Sequence, residues 1–248
     1  MQKLNIHNNH YISYKQQKYG SSQTHTIVFL HGLMSDKNGT KALSIENFCK
    51  KEKYNYVSFD NLGHGESTGK FMDHTISCWL NTTRTFLKSL NIANIILVGS
   101  SMGGWLALLL GIEKIPIISA IMLMAPAPDF TEIIWRNLPE EDKYRILDEN
   151  FIYINEIPIS HKLIEDGRKH LIMHNEIIDI EVPTAIIHGM QDQSVDYKLS
   201  QNLTEKIRSK YLSTKFLKYS DHRLSLISDL GLINNSIKEL VEVTADYK

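Results

Sequence analysis

Gly99-Ser100-Ser101-Met102-Gly103 follows one apolar run, Asn94-Ile95-Ile96-Leu97-Val98, and opens another, Trp105-Leu106-Ala107-Leu108-Leu109-Leu110. A strand that must become a helix within five residues leaves almost no steric room, which is why glycines stand at 99 and 103. The pattern is G-x-S-x-G, with Ser101 at the apex of the turn and Met102 as the first helical residue. The orphan N–H groups and positive end of the new helix then lie beside the serine hydroxyl. A strand feeding a helix in this way belongs to a parallel sheet. Five residues alone also recur in ordinary Gly/Ser turns, so the flanking chain decides.

The flanks alternate strand and helix. Leu4–His7 and Tyr11–Gln16 read as an opening antiparallel hairpin, and Thr26–Leu30 as a buried strand ending at His31-Gly32. Ala42, Ile45, Phe48 and Cys49 share one face of a helix from about Gly39 to Lys53. Tyr56–Phe59 is the next strand, followed by a loop rich in turn formers, Asp60–Ser67. Ile76, Leu80, Phe86 and Leu87 mark a helix leading to the Ser101 strand, and Ile117–Met124 is the strand after it. Ala125-Pro126-Ala127-Pro128 then breaks the pattern until Thr184–His188. So long a stretch without structure is rare in one domain, so 126–182 is expected to be a helical lid over the C-terminal edge of the sheet. Residues 1–125 and 183–248 are the two parts of the core. Val195, Leu199, Leu203 and Ile207 predict a helix, Lys215–Tyr219 a last strand, and Leu230, Ile233, Ile237 and Leu240 a closing helix. The expected architecture is α/β: a mostly parallel sheet of about eight strands flanked by helices.

Composition narrows the class. A chain of 248 residues with 42% hydrophobic and 22% charged residues can bury one large core. A net charge of −1 gives no electrostatic footprint for nucleic acid or an anionic membrane. The densest charge run, Lys50-Lys51-Glu52-Lys53, reads as a solvated helix end. Two cysteines, Cys49 and Cys78, make neither a disulfide framework nor a metal site. Met1–Lys18 lacks the apolar core of a signal peptide, and Trp105–Ala127 is interrupted by Glu113, Lys114 and Pro116, unlike a membrane span. A cytoplasmic protein without integral membrane association is the expectation.

A serine hydroxyl needs a base to become a nucleophile at neutral pH, and the base needs an acid to orient it. The strand at Thr184 ends in a loop carrying Asp192, and the strand at Lys215 ends in Ser220-Asp221-His222-Arg223. Order along the chain and position at strand ends therefore select Ser101, Asp192 and His222 as a catalytic set. The backbone N–H groups of Met102 and of Leu33, after His31-Gly32, are the expected oxyanion donors. Asp129 is the fallback acid, although Pro126 and Pro128 suggest that it only enters the lid. Asp196 is better placed than Asp192 to cap the following helix. Ser100 should point into the fold, His31 should serve a loop hydrogen bond and His64 a turn. His170 and His174 have the i, i+4 spacing of metal ligands but no third partner, so neither a metal nor a cofactor is expected.

Together these features resemble the α/β-hydrolase superfamily over nearly the whole chain. Longer strings narrow the likeness: Asn38–Leu43 with Phe48-Cys49-Lys50, Val98–Trp105, His188-Gly189-Met190 with Asp192, and Ser220–Arg223. They resemble the mitochondrial α/β-hydrolase-domain enzymes that are palmitoyl-protein thioesterases and acyl-glucuronide esterases, with this chain read as a bacterial relative. The resemblance implies the Ser101, Asp192, His222 triad and acyl ester or thioester substrates, small molecules or acylated proteins. Ile152, Ile154, Ile157 and Ile159 either line an acyl groove or dock the lid. A peptidase or amidase would need a carboxylate for an amine, for which Glu132, Glu140, Glu141 and Asp142 are candidates. A ligand-binding protein on the same scaffold is a further alternative.

Overall fold

Strand residues of the central sheet alternate between two cores, as a period of two requires when helices cover both faces. Ile27, Phe29, Ile96, Val98, Met122 and Met124 face one core; Val28, Leu30, Leu97, Ile121 and Leu123 face the other. The structure, a computed structural model, describes residues 2–6, 10–21 and 24–246. It begins with β1 (Gln2–Asn5) and β2 (Tyr11–Gln17), an antiparallel hairpin; His7, the expected end of its first strand, lies outside the described residues. Then come β3 (Thr26–Leu30), α1 (Thr40–Glu52), β4 (Asn55–Phe59), α2 (Ile76–Ser89), β5 (Ile95–Ser100), α3 (Met102–Ile112) and β6 (Ile118–Met124). The inserted segment holds α4 (Phe130–Asn137), α5 (Glu140–Glu149), β7 (Phe151–Ile154), β8 (Ile157–Ser160) and α6 (His161–Gly167). The chain closes with β9 (Thr184–Gly189), α7 (Lys198–Lys206), β10 (Leu212–Leu217) and α8 (Ile227–Asp246).

The eight-stranded sheet has the order β1-β2-β4-β3-β5-β6-β9-β10. Its pairs are parallel except β1 with β2 and β2 with β4. The chain steps from β3 outward to β4, then returns to β5 on the other side of β3. That reversal opens a crevice at the carboxyl ends of β3 and β5, where α/β sheets hold ligands. α1 and α8 cover one face through Ala42, Ile45, Ile233, Ile237 and Leu240. α2 and α3 cover the other, joined there by Leu203 of α7 and by the inserted segment. α3 is buried from Met102 to Gly111, as an apolar helix without a polar face must be.

Besides β1, which begins at Gln2 instead of Leu4, three elements differ from the sequence reading. The inserted segment is not purely helical: β7 and β8 pair antiparallel around Asn155 and Glu156, both with positive φ, 47° and 66°. Asn-Glu is a weak hairpin signature beside Asn-Gly, so the sequence alone does not mark a turn there. β10 begins at Leu212 instead of Lys215, because its register against Thr184–Gly189 of β9, not its own polar sequence, defines it. α7 begins at Lys198, after Val195.

A Cβ on Gly103 would lie 2.2 Å from the Leu30 carbonyl oxygen, whereas one on Gly231 in α8 meets nothing within 4 Å. Gly103→Ala is therefore expected to lose about 3 kcal/mol or more of stability. Gly231→Ala should gain about 0.5–1 kcal/mol. Chemical denaturation of both variants beside the parent measures the contrast; equal effects would contradict the packing described.

Candidate active site

Ser101 sits at the sharpest point of the backbone, with φ 54° and ψ −119°. No side-chain residue adopts that conformation freely, so the surroundings must hold it. Its N–H donates to the Met124 carbonyl at 3.0 Å, and its own carbonyl accepts from Gly104, Trp105 and Ala127 at 2.9, 3.2 and 3.1 Å. A Cβ on Gly99 would lie 2.4 Å from the Gly103 carbonyl oxygen, which accounts for the first glycine of the pattern. Ser100 is buried beneath the apex.

The loops after β9 and β10 converge on this serine. His222 Nε2 lies 3.1 Å from Ser101 Oγ, and His222 Nδ1 lies 2.6 Å from Asp192 Oδ2. The Asp192 carboxylate is fully enclosed, while His222 keeps 26% of its side chain exposed, so a substrate can reach the imidazole. Asp192 Oδ1 accepts the N–H groups of Ser194 and Val195, both at 2.8 Å. Oδ2 also accepts from His188 Nε2 at 3.0 Å. Burial alone would raise the Asp192 pKa, but the hydrogen bonds from His188, His222 and Val195 outweigh it and hold the group well below the usual carboxylate range. Asp196 accepts from the N–H of Lys198, the first residue of α7, at 2.9 Å, although the N-cap position itself is held by Tyr197.

On the other side of Ser101 runs the turn that follows β3. A Cβ on Gly32 would come within 3.1 Å of the Ser101 Cβ, so this turn lies directly against the serine. His31 fixes it: Nε2 accepts from Asn61 N–H at 3.0 Å, which leaves Nδ1–H to donate to the Gly32 carbonyl at 2.7 Å. Burial lowers the His31 pKa, in keeping with a neutral ring. Behind the turn, Lys37 and Asp60 form a buried ion pair at 2.7 Å, and Lys37 also reaches Glu66. Asp60 further accepts the N–H groups of Lys37 and Glu66 at 2.7 and 2.9 Å, which ties the two loops together. The N–H groups of Leu33 and Met102 donate to no carbonyl or side chain among the described residues.

The other candidates lie elsewhere. Asp129 accepts the N–H groups of Ile172 and Met173, both at 2.9 Å, and so ties the two ends of the inserted segment together. His170 bonds Ser77 Oγ at 2.7 Å beside Asp166, and no group of three or more potential metal ligands occurs among the described residues. Ile152 and Ile159 are buried in the core, and Ile154 packs against it. Ile157 alone of the four isoleucines lines a cleft of about 500 Å³ that reaches Ser101 and His222 past Ala127, Phe130, Ile134 and Leu199.

A sequence model of the α/β hydrolase fold matches residues 25–153. The chain belongs to that family. Over 238 residues it is 29% identical to a Bos taurus protein named palmitoyl-protein thioesterase ABHD10, mitochondrial, covering 93% of this chain and 76% of the relative. The structure of mouse alpha/beta hydrolase domain-containing protein 10 superposes with a TM-score of 0.89 at 28% identity, over 97% of this chain and 98% of the other. A crystal structure from Agrobacterium vitis S4 gives a TM-score of 0.90 at 30% identity over 96% of both chains.

Sequence reasoning gave no role to two side chains around the hydrolase site, His188 and Lys37. His188 stands four residues before Asp192 at a strand end, and that short spacing is the local signal from which its pairing with the carboxylate could be read. Lys37 left no such trace, because its partners come from a loop more than twenty residues away. His64 packs against the rings of His31, Phe71 and Trp79. Burial, with the adjacent His31, lowers its pKa to about 3. The unfolded chain takes up that proton below about pH 6.5, whereas the folded one does so only near pH 3. The hydrolase fold should therefore lose stability on acidification through this window, by about 1.4 kcal/mol per pH unit per buried histidine. Urea unfolding between pH 7 and 5 measures the slope, and His64→Phe should flatten it by up to one proton.

Proposed function

We propose that this chain is a serine hydrolase of acyl esters or thioesters. The observation that carries the proposal is the hydrogen-bonded chain Ser101–His222–Asp192 at the mouth of an apolar cleft. His222 Nε2 takes the Ser101 proton as Oγ attacks the acyl carbon, and Asp192 holds the imidazole in one tautomer and balances its positive charge. The free N–H groups of Leu33 and Met102 receive the oxyanion. Collapse of the tetrahedral intermediate breaks the bond to the leaving group, which departs with the proton from His222. Water, deprotonated by the same imidazole, then cleaves the acyl-enzyme and regenerates Ser101.

The acyl chain is assigned to the cleft lined by Phe130, Ile133, Ile134, Ile157 and Leu199, with the segment 126–182 acting as lid between the core parts 1–125 and 183–248. The names of the mammalian relatives favour thioesters among the substrates. The carboxylates that an amidase would direct at an amine are engaged elsewhere: Glu132 with Arg136 and Arg168, Glu140 with Lys143, Asp142 with Arg145. Glu141, the fourth, is exposed on the first turn of α5 and does not line the cleft at Ser101.

A fluorophosphonate probe should label Ser101 in the parent and not in Ser101→Ala. Asp192→Asn should lower kcat on the order of 10⁴-fold, since it presents the wrong imidazole tautomer. A well-folded parent that stays unlabelled would overturn the assignment. Filling the cleft with Ile157→Trp should raise KM for a dodecanoyl thioester about tenfold or more relative to the acetyl thioester, as expected when several buried methylenes lose their contacts. An unchanged chain-length profile would place the acyl group elsewhere.

A further inference from the structure

Ser101 and His222 border two clefts, and the proposed acyl chain occupies only one. The second, of about 490 Å³, opens between the first turn of α1 and the loop that carries His222. Its chemistry is different: Ser35, Thr40, Lys41, Arg223 and Ser225 line it where the first cleft has isoleucines. Lys41 is partly buried, and its Nζ donates to the Arg223 carbonyl at 2.6 Å. No carboxylate among the described residues forms an ion pair with it, and its Nζ makes no other hydrogen bond to them. Burial draws its pKa down to about 8 even though Asp221 and Asp192 pull the other way. The Arg223 guanidinium, exposed on the same wall, has no hydrogen bond or ion pair with another described residue. Asp36 also lines this cleft, with its Oδ1 engaged by the N–H of Asn38, and Asp221 Oδ1 is engaged by the N–H groups of Arg223 and Leu224.

A partly desolvated ammonium with no carboxylate in direct contact is unfavourable, and a bound anion would relieve it. Building on the reading of Ser101 as an acyl-transfer nucleophile, we propose that this second cleft holds the leaving group of the substrate and that this leaving group is anionic. Its carboxylate or phosphate, a few atoms from the scissile bond, pairs with Lys41 and Arg223. The charge takes no part in bond making. The departing sulfur or oxygen receives its proton from His222, as in any acyl transfer, and the anion fixes which leaving groups are positioned for it.

The test uses three octanoyl thioesters that differ only in the thiol: 3-mercaptopropionate, its neutral methyl ester, and 2-mercaptoethyl phosphate. Calorimetric titration of Ser101→Ala gives Kd values without turnover. Thiol release by the parent enzyme gives kcat/KM. At least one anionic thioester should bind about tenfold or more tighter than the methyl ester, as charge-assisted hydrogen bonds to two cations allow. Adding Lys41→Met and Arg223→Met to Ser101→Ala should bring that ratio close to one. The better of the two anions shows whether a carboxylate or a phosphate is the preferred partner. A ratio near one before those changes, or one that survives them, overturns the proposal. Should the double change prevent folding, Arg223→Gln, at an exposed side chain, must still reduce the ratio. Failure of the parent to release thiol from any of the three, with the binding ratio intact, would instead sink the hydrolase reading and leave the anion cleft standing.

Discussion

The structure around the site depends on one close crossing of backbone. Where β5 turns into α3, Gly103 passes so near the end of β3 that a Cβ would stand 2.2 Å from the Leu30 carbonyl oxygen. Only hydrogen fits, and the approach sets the distance between the two strand ends that flank the crevice. Because the chain cannot relax there, Ser101 is held at a positive φ by four backbone hydrogen bonds, one to its N–H and three to its carbonyl. The turn after β3 is then pressed against the serine from the side, which brings Gly32 and Leu33 beside the hydroxyl. A catalytic geometry on flexible loops would need each of these restraints separately; here they share one steric origin.

Charge is handled by the opposite means, many weak donors for each buried carboxylate. Asp192 collects two backbone N–H groups and two imidazoles, and Asp60 collects two N–H groups and an ammonium. Asp192 stays ionised in the interior only because its donors replace the lost water. Asp129 has two N–H donors and no cation bonded to it, and there burial wins: its pKa is raised. The same physics thus separates a carboxylate suited to face a histidine from one that only ties a segment down.

The two clefts on either side of Ser101 and His222 are products of packing between distant segments. The apolar one exists because α4 and β8 of the inserted segment lean over the loop before α7. The polar one exists because the start of α1 meets the loop that carries His222, so that Lys41 reaches a carbonyl 182 residues away. Neither wall can be read from a local window of sequence. The division of the hairpin isoleucines shows this: packing buries Ile152 and Ile159 and leans Ile154 and Ile157 on the core, and of the four only Ile157 also lines the cleft.

Much was nonetheless written in the chain itself. Alternating strand and helix patterns, the glycines at 99 and 103, and aspartate and histidine at later strand ends follow from local sterics and periodicity, which act within a few residues. They define the parallel sheet and identify the side chains brought within hydrogen-bond distance of one another. What local rules could not decide was anything set by a partner far along the sequence. The start of β10 depends on β9, the β7–β8 hairpin on its burial against the core, and the duty of Lys37 on carboxylates held by another loop. Local conformation is encoded where a residue stands, whereas register, ion pairing and cavity shape are settled only when separate segments compete for the same space.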